Sequence, residues 1–296
     1  MRMRNRRVRA VVAVTGAAVL GLAGCDALGG GGGPGDAGAR EARAARAPLW
    51  DTSPASMAAV GDSITRGFDA CTVLQDCPEV SWATGASAGV DSLAVRLLGA
   101  SKAATHSWNY AVTGARMADL TDQMTRAAAE KPQLVTVMAG ANDACRESPE
   151  AMTPVADFRA EFEEALRTLR RSLPKAQVYV ASVPNLKRLW SQGRTNALGK
   201  QIWKLGICPS MLGDADALDA AATARRDTVQ RRVEDYNRVL EEVCAKDARC
   251  RFDGGAVYDF RFGTDQLSHW DWFHPSRDGQ ARLAEIAYRK VTARVG

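Results

Sequence analysis

Beyond its first 50 residues the chain alternates short apolar runs with longer stretches in which apolar side chains recur every three or four positions. The runs Met57–Val60, Ser107–Val112, Leu134–Met138, Gln177–Ser182 and Arg249–Phe252 have strand length. Helical spacing runs through Val90–Leu98 and Met117–Ala129, then through Phe158, Phe162, Ala165, Leu166, Leu169 and Leu173. It returns in Val229, Val233, Tyr236, Leu240 and Val243, and in a last helix over 278–291 with Leu283, Ala284, Ala287 and Val291 on one face. Strands alternating with helices predict a parallel sheet flanked by helices, the α/β class. There is no internal repeat, and residues 185–226 show no clear period.

The first 50 residues follow another pattern. Arg2, Arg4, Arg6, Arg7 and Arg9 precede the apolar Val11–Ala23, and Leu22-Ala23-Gly24-Cys25 closes the segment. A basic start, an apolar segment of about 13 residues and a small-residue end predict an export signal over 1–24, because a spanning helix needs roughly 20. The tetrapeptide resembles a bacterial lipobox, which makes Cys25 a lipidation site and anchors the mature protein to the outer face of the cell membrane. An ordinary secretory signal with an incidental Cys25 is the alternative. Residues 25–49, rich in Gly, Ala and Arg and including Gly29–Gly33, read as a flexible tether. The glycine run has no following Gly-Lys-Ser/Thr, which argues against a phosphate-binding loop. Residues 50–296 then form the single globular domain, expected to be a monomer.

Processing changes the charge argument. The precursor carries 39 basic and 34 acidic side chains, a formal net charge of +5. All of that excess lies in the five arginines of the export signal, so the mature chain is balanced and presents nothing that points to nucleic acid. Seven cysteines less Cys25 leaves Cys71, Cys77, Cys145, Cys208, Cys244 and Cys250, an even number in an exported chain, for which disulfides are the default. Local pairing of Cys71 with Cys77 and of Cys244 with Cys250 would leave Cys145 with Cys208, although other connectivities stay open. Zinc is disfavoured by the lack of a C-x-x-C pair and the presence of only three histidines. No metal or organic cofactor is expected.

Three of the predicted strands run into turns that present polar groups. Met57–Ser63 ends in Gly61-Asp62-Ser63, Trp108–Gly114 ends on a glycine, and Leu134–Asp143 ends in Gly140-Ala141-Asn142-Asp143. In open parallel sheets the carboxyl ends of neighbouring strands converge on one crevice. A serine there is exposed as a nucleophile, a glycine lets a substrate oxygen approach the backbone N–H, and an asparagine amide can donate to developing negative charge. Asp271-Trp272-Phe273-His274 supplies a carboxylate and an imidazole spaced so that one can orient the other. His269 and His106 are rival bases. Singly, each group has an ordinary explanation: a turn serine, a turn glycine, a local Asn turn, a surface histidine. Gly85-Ala86-Ser87-Ala88-Gly89 matches the G-x-S-x-G elbow, but the Ser81–Thr84 stretch before it is too weakly apolar for a buried strand, so it reads as a loop.

As an ordered set, Gly61-Asp62-Ser63, Gly114, Gly140-x-Asn142-Asp143 and Asp271-x-x-His274 resemble the four blocks of the SGNH, or GDSL, hydrolases over about residues 57–292. The arrangement of six cysteines further resembles the secreted actinomycete lipases and esterases of that family. The resemblance implies a three-layer α/β/α sandwich with a flavodoxin-like parallel sheet. It implies Ser63 as nucleophile with Asp271 and His274 completing a triad, and an oxyanion hole from the N–H groups of Ser63 and Gly114 and the Asn142 amide. Some relatives replace the aspartate by a backbone carbonyl. The function implied is a serine-dependent carboxylic ester hydrolase, a lipase or esterase acting on lipid or other acyl esters. A catalytically silent lipoprotein that binds acylated lipid or glycan is the alternative. The loops that size an acyl pocket are expected in 64–90 and 185–226.

Overall fold

The computed structural model describes residues 49–294. The predicted export signal and Cys25 lie outside the described residues, as does the predicted tether except for its last residue, Leu49. Five strands, β1 (Met57–Gly61), β2 (Ser107–Asn109), β3 (Leu134–Met138), β4 (Gln177–Val180) and β5 (Cys250–Phe252), form one sheet in the order β2-β1-β3-β4-β5, every pair parallel. Met57 stands opposite both Ser107 and Leu134, and Leu134 opposite Gln177, so these strands start level, and β1 and β3 also end level, with Gly61 opposite Met138. All residues of β1, β3 and β4 are buried, which explains why these strands read as continuous apolar runs rather than alternating ones. Helices Leu120–Ala129, Val155–Ser172 and Ala220–Ala245 pack side by side as one layer, and Leu93–Leu98 and Arg277–Thr292 meet in another. The result is the parallel sheet flanked by helices that the alternating pattern predicts, and the α/β/α sandwich that the resemblance implies.

The differences from the predicted elements have local causes. The predicted 90–98 helix begins only at Leu93, where the Ser92 hydroxyl accepts from the Val95 N–H at 3.3 Å, and it stops at Gly99 before a second helix, Ala100–His106. β2 ends at Asn109, whose side chain accepts from the Ala111 N–H two residues on (3.1 Å) and bends the chain; pairing nevertheless continues through Tyr110 N–H to Ala59 O (2.8 Å) and Val112 N–H to Gly61 O (3.1 Å). The unassigned 185–226 region holds three short helices, Leu186–Gly193, Ala197–Trp203 and Pro209–Leu212, and the start of the long one. Segments of four to eight residues are too short to display a helical period.

Cysteines pair as Cys71–Cys77, Cys145–Cys208 and Cys244–Cys250. The middle bridge fastens the turn after β3 to the 197–212 region, 63 residues on. In the chain-entropy account a loop of that length contributes about 4 kcal/mol, and the two short ones about 2–3 each. Gly85–Gly89 lies in a loop with no strand before it. Among the described residues no helix is long and apolar enough to cross a membrane.

Candidate active site

Parallel pairing brings the carboxyl ends of β1 and β3 together, and the sequence at the end of β1 is shaped for a sharp exit. Gly61 has φ +146°, and a Cβ there would collide with the Met138 carbonyl of β3. Its N–H and C=O are both held by the Gln123 amide, at 2.7 and 3.0 Å. Asp62 then caps a single helical turn, Ser63–Arg66, by accepting from the Ile64 N–H at 2.9 Å. Ser63 is the first residue of that turn, so its own N–H has no acceptor within the helix.

His274 arrives from the opposite end of the chain on an irregular loop that is fastened to itself. Ser268 N–H donates to His274 O (2.7 Å), Trp272 N–H donates to Ser268 O (2.8 Å), and Leu267 and Pro275 form an antiparallel bridge. One carboxylate oxygen of the buried Asp271 accepts from the N–H groups of Phe273 (2.9 Å) and His274 (3.0 Å), and the other accepts from His274 Nδ1. Trp203 Nε1, from the region without a readable period, donates to the Asp271 carbonyl at 2.7 Å. With Nδ1 donating to Asp271, Nε2 faces Ser63 Oγ at 2.9 Å as an acceptor. Phe68 and Phe273 flank the imidazole, with ring centres 5.0 and 5.3 Å away. The other two histidines are exposed: His106 bonds Thr105, and His269 lies against Trp270 with the rings tilted by 40°.

Gly114 has φ +83°, a conformation that favours glycine, and no hydrogen-bond acceptor lies in reach of its N–H among the described residues. Asn142 sits in the helical turn Ala141–Ala144 after β3, where its amide donates one N–H to Ala115 O at 2.9 Å and keeps a second free. The same Ala115 follows Gly114, so this bond ties the two turns together. Asp143 secures the arrangement from beneath, accepting from Met117 N–H (3.0 Å) and Thr153 Oγ1 (2.8 Å).

Charge is concentrated at this end of the sheet. Burial acts against a charged imidazole at His274, but the adjacent Asp271, joined by Asp69 and Asp62, outweighs it and holds the group above its ordinary value. Burial likewise favours the neutral form of Asp271, yet the imidazole and the two backbone N–H groups keep its carboxyl below the usual range. Burial pushes Asp62 up to about 7 despite its bond from Ile64 and the nearby imidazole. An oriented serine, imidazole and carboxylate beside uncommitted donors is the arrangement for acyl transfer.

Residues 57–287 match the sequence profile of the family described as GDSL-like Lipase/Acylhydrolase. The chain belongs to that family. No curated protein matches the chain significantly. Solved structures of similar shape include a salicylyl-acyltransferase from a tetracycline biosynthetic pathway, 18% identical, covering 80% of this chain and 54% of the other at a TM-score of 0.48. The chain thus spans about half the length of that protein. Two others are an extracellular lipase from Streptomyces rimosus (17% identity, 80% and 99% covered, TM-score 0.44) and a phospholipase A1 from Streptomyces albidoflavus (17%, 81% and 100%, TM-score 0.45).

Several residues around the candidate site carry no signal in the sequence. Asp69, Gln123, Trp203 and Ser268 reach it only through the tertiary fold, and none stands in a recognisable motif. Asp62 differs in standing inside the Gly61-Asp62-Ser63 motif, where an aspartate before the first residue of a helical turn is a capping signal.

Proposed function

We propose that this GDSL-family protein is a serine-dependent carboxylic ester hydrolase that works through an acyl-enzyme outside the cytoplasm. The observation that carries the reading is the 2.9 Å contact between Ser63 Oγ and His274 Nε2, with Asp271 on the far side of the ring. His274 takes the hydroxyl proton as Ser63 Oγ bonds to the ester carbonyl carbon. The carbonyl oxygen becomes an oxyanion, met by the N–H groups of Ser63 and Gly114 and the free amide N–H of Asn142. Protonated His274 then gives its proton to the departing alcohol as the C–O bond breaks. Water repeats the cycle on the acyl-enzyme, which restores Ser63 and releases the acid. Every step is a proton transfer or an acyl transfer between named atoms.

On the acyl side, an apolar cavity of about 10 Å³ adjoins His274, lined by Ile64, Ala141, Leu186, Leu189, Phe262 and Phe273. That is room for about one water-sized group, so acetyl and other short acyl esters are favoured over long-chain lipids. Six cysteines joined in three bridges fit an oxidising compartment, and we assign Cys25 as the lipid anchor at the outer face of the cell membrane.

The test is a fluorophosphonate probe. One equivalent should label Ser63, and Ser63→Ala should abolish labelling and lower kcat on a p-nitrophenyl ester by about 10⁶. A folded wild-type chain that takes no label and turns over no ester would instead be an acyl-ester binder.

A further inference from the structure

We propose that Asp69 is a positioning residue of this site, a second carboxylate behind Asp271 that sets the pH at which His274 is freed to act as a base. The inference rests on the assignment of His274 as that base.

Its starting point is a side chain the mechanism does not use. Asp69 is 2% exposed, and while one carboxylate oxygen accepts from the Leu74 N–H, Oδ2 is buried with no partner. A buried carboxylate oxygen without a donor is costly, and a proton on it removes the cost if an acceptor is near. Asp271 is near: single polar atoms of Asp69, Asp271 and His274 all lie within 4.8 Å of one another. A protonated Asp69 could therefore donate to Asp271, whereas an ionised Asp69 stands as a second negative charge beside it.

The backbone keeps Asp69 in place from two sides. It adopts φ +57°, its N–H donates to Gln75 O at 3.0 Å, and the Cys71–Cys77 bridge closes the loop that follows. Its carbonyl accepts from Ser268 Oγ at 2.7 Å, and Ser268 is the residue whose N–H holds His274 O. The serine loop and the histidine loop are thus joined at Asp69, directly behind the imidazole.

The charged groups facing this cluster are Asp271, His274 and, against the imidazole, Asp62. Arg66, on the same segment, is engaged with Asp76 at 3.2 Å. Burial first, and Asp271 second, push Asp69 up to about 6, and the adjacent carboxylates hold His274 above its ordinary value, so the two groups act on each other's protonation. The sign follows. Ionised Asp69 favours the imidazolium, so a higher pH is needed to obtain the neutral base. Once Asp69 carries a proton, that bias on His274 is gone.

Asp69→Asn keeps the shape and offers Asp271 a permanent N–H donor while deleting the charge. The acid limb of its kcat/KM profile should move to lower pH by about half a unit or more, with the plateau within about threefold of wild type. A purely structural residue would lower the plateau or the melting temperature and leave the limb where it was; that result overturns the proposal. Should Asp69→Asn fail to fold, carbon-13 NMR of the wild-type aspartates, with the His274 ring followed in parallel, decides the matter. Linked titration of Asp69 and His274 upholds it, and independent titration refutes it. These NMR titrations need no turnover, so a chain that fails the fluorophosphonate test still reports on Asp69 separately.

Discussion

The two ends of the sheet treat their polar groups in opposite ways. At the amino-terminal end, Gln177 at the start of β4 accepts from the Asp51 N–H (3.0 Å) and donates to its carbonyl (2.9 Å). Gln133 accepts from Ala55 N–H (2.6 Å), and Trp50 Nε1 donates to Val291 O (2.8 Å). At the carboxyl-terminal end, Oδ2 of Asp62 and Oδ2 of Asp69 are buried with no partner, within the field of one imidazole. At the amino-terminal end a groove of about 460 Å³ lies beside Gln133 and Gln177, whereas the cavity against His274 is about 10 Å³. Size of opening is therefore a poor guide to chemistry here. At the carboxyl-terminal end the carboxylate oxygens left short of a partner lie beside the imidazole, where local stability is given up for a perturbed charge environment.

The sharpest way to break that contrast is to remove a donor at the reactive end. Asn142→Ala should fold and melt nearly as wild type, losing only its bond to Ala115 O, yet lower kcat by about 10²–10³. Steady-state kinetics alongside circular dichroism would check this. Unchanged kcat would remove Asn142 from the oxyanion hole, and the free amide N–H would then be an ordinary feature of a turn.

The asymmetry between the ends also explains what could be read in the sequence. β1, β3 and β4 are buried on both faces, so their apolar runs were legible in single sequence, as were the long helices with a buried stripe. Ser63 and Asn142 were legible because each closely follows such a run, and Gly114 because it closes the Ser107–Val112 run. The supporting residues were not: Trp203 lies in a seven-residue helix, and Asp69 meets Asp271 across 202 positions of chain. Nothing local distinguishes a carboxylate that will be buried beside another from one that caps an exposed turn, because the difference is made by loop packing. The same holds for the lining of the small cavity beside His274, where Leu186 and Leu189 come from the stretch that had no period.

At the satisfied end the expectation reverses. Gln177→Ala deletes two hydrogen bonds to Asp51 and should destabilise by about 2 kcal/mol. In a domain of this size that lowers Tm by several degrees, on the order of 2–4 °C per kcal/mol. Because Gln177 lies at the other end of β4, kcat/KM should not change. A drop in turnover without a drop in Tm would mean the two ends are coupled through the sheet and that the contrast is drawn too sharply.

The smallest effect tests the cavity. Leu189 is buried on the helix Leu186–Gly193, and Leu189→Val removes one methylene from the wall beside His274. If the acyl group enters there, the extra space helps a butyryl ester and does little for an acetyl one. The butyryl-to-acetyl ratio of kcat/KM should rise by about tenfold, the discrimination a hydrophobic pocket achieves for a single methylene. The loss of packing costs about 1 kcal/mol of stability, which both substrates share and which therefore cancels from the ratio. An equal change for both esters would place the acyl chain elsewhere, and the small apolar cavity would be packing around the histidine loop rather than part of its chemistry.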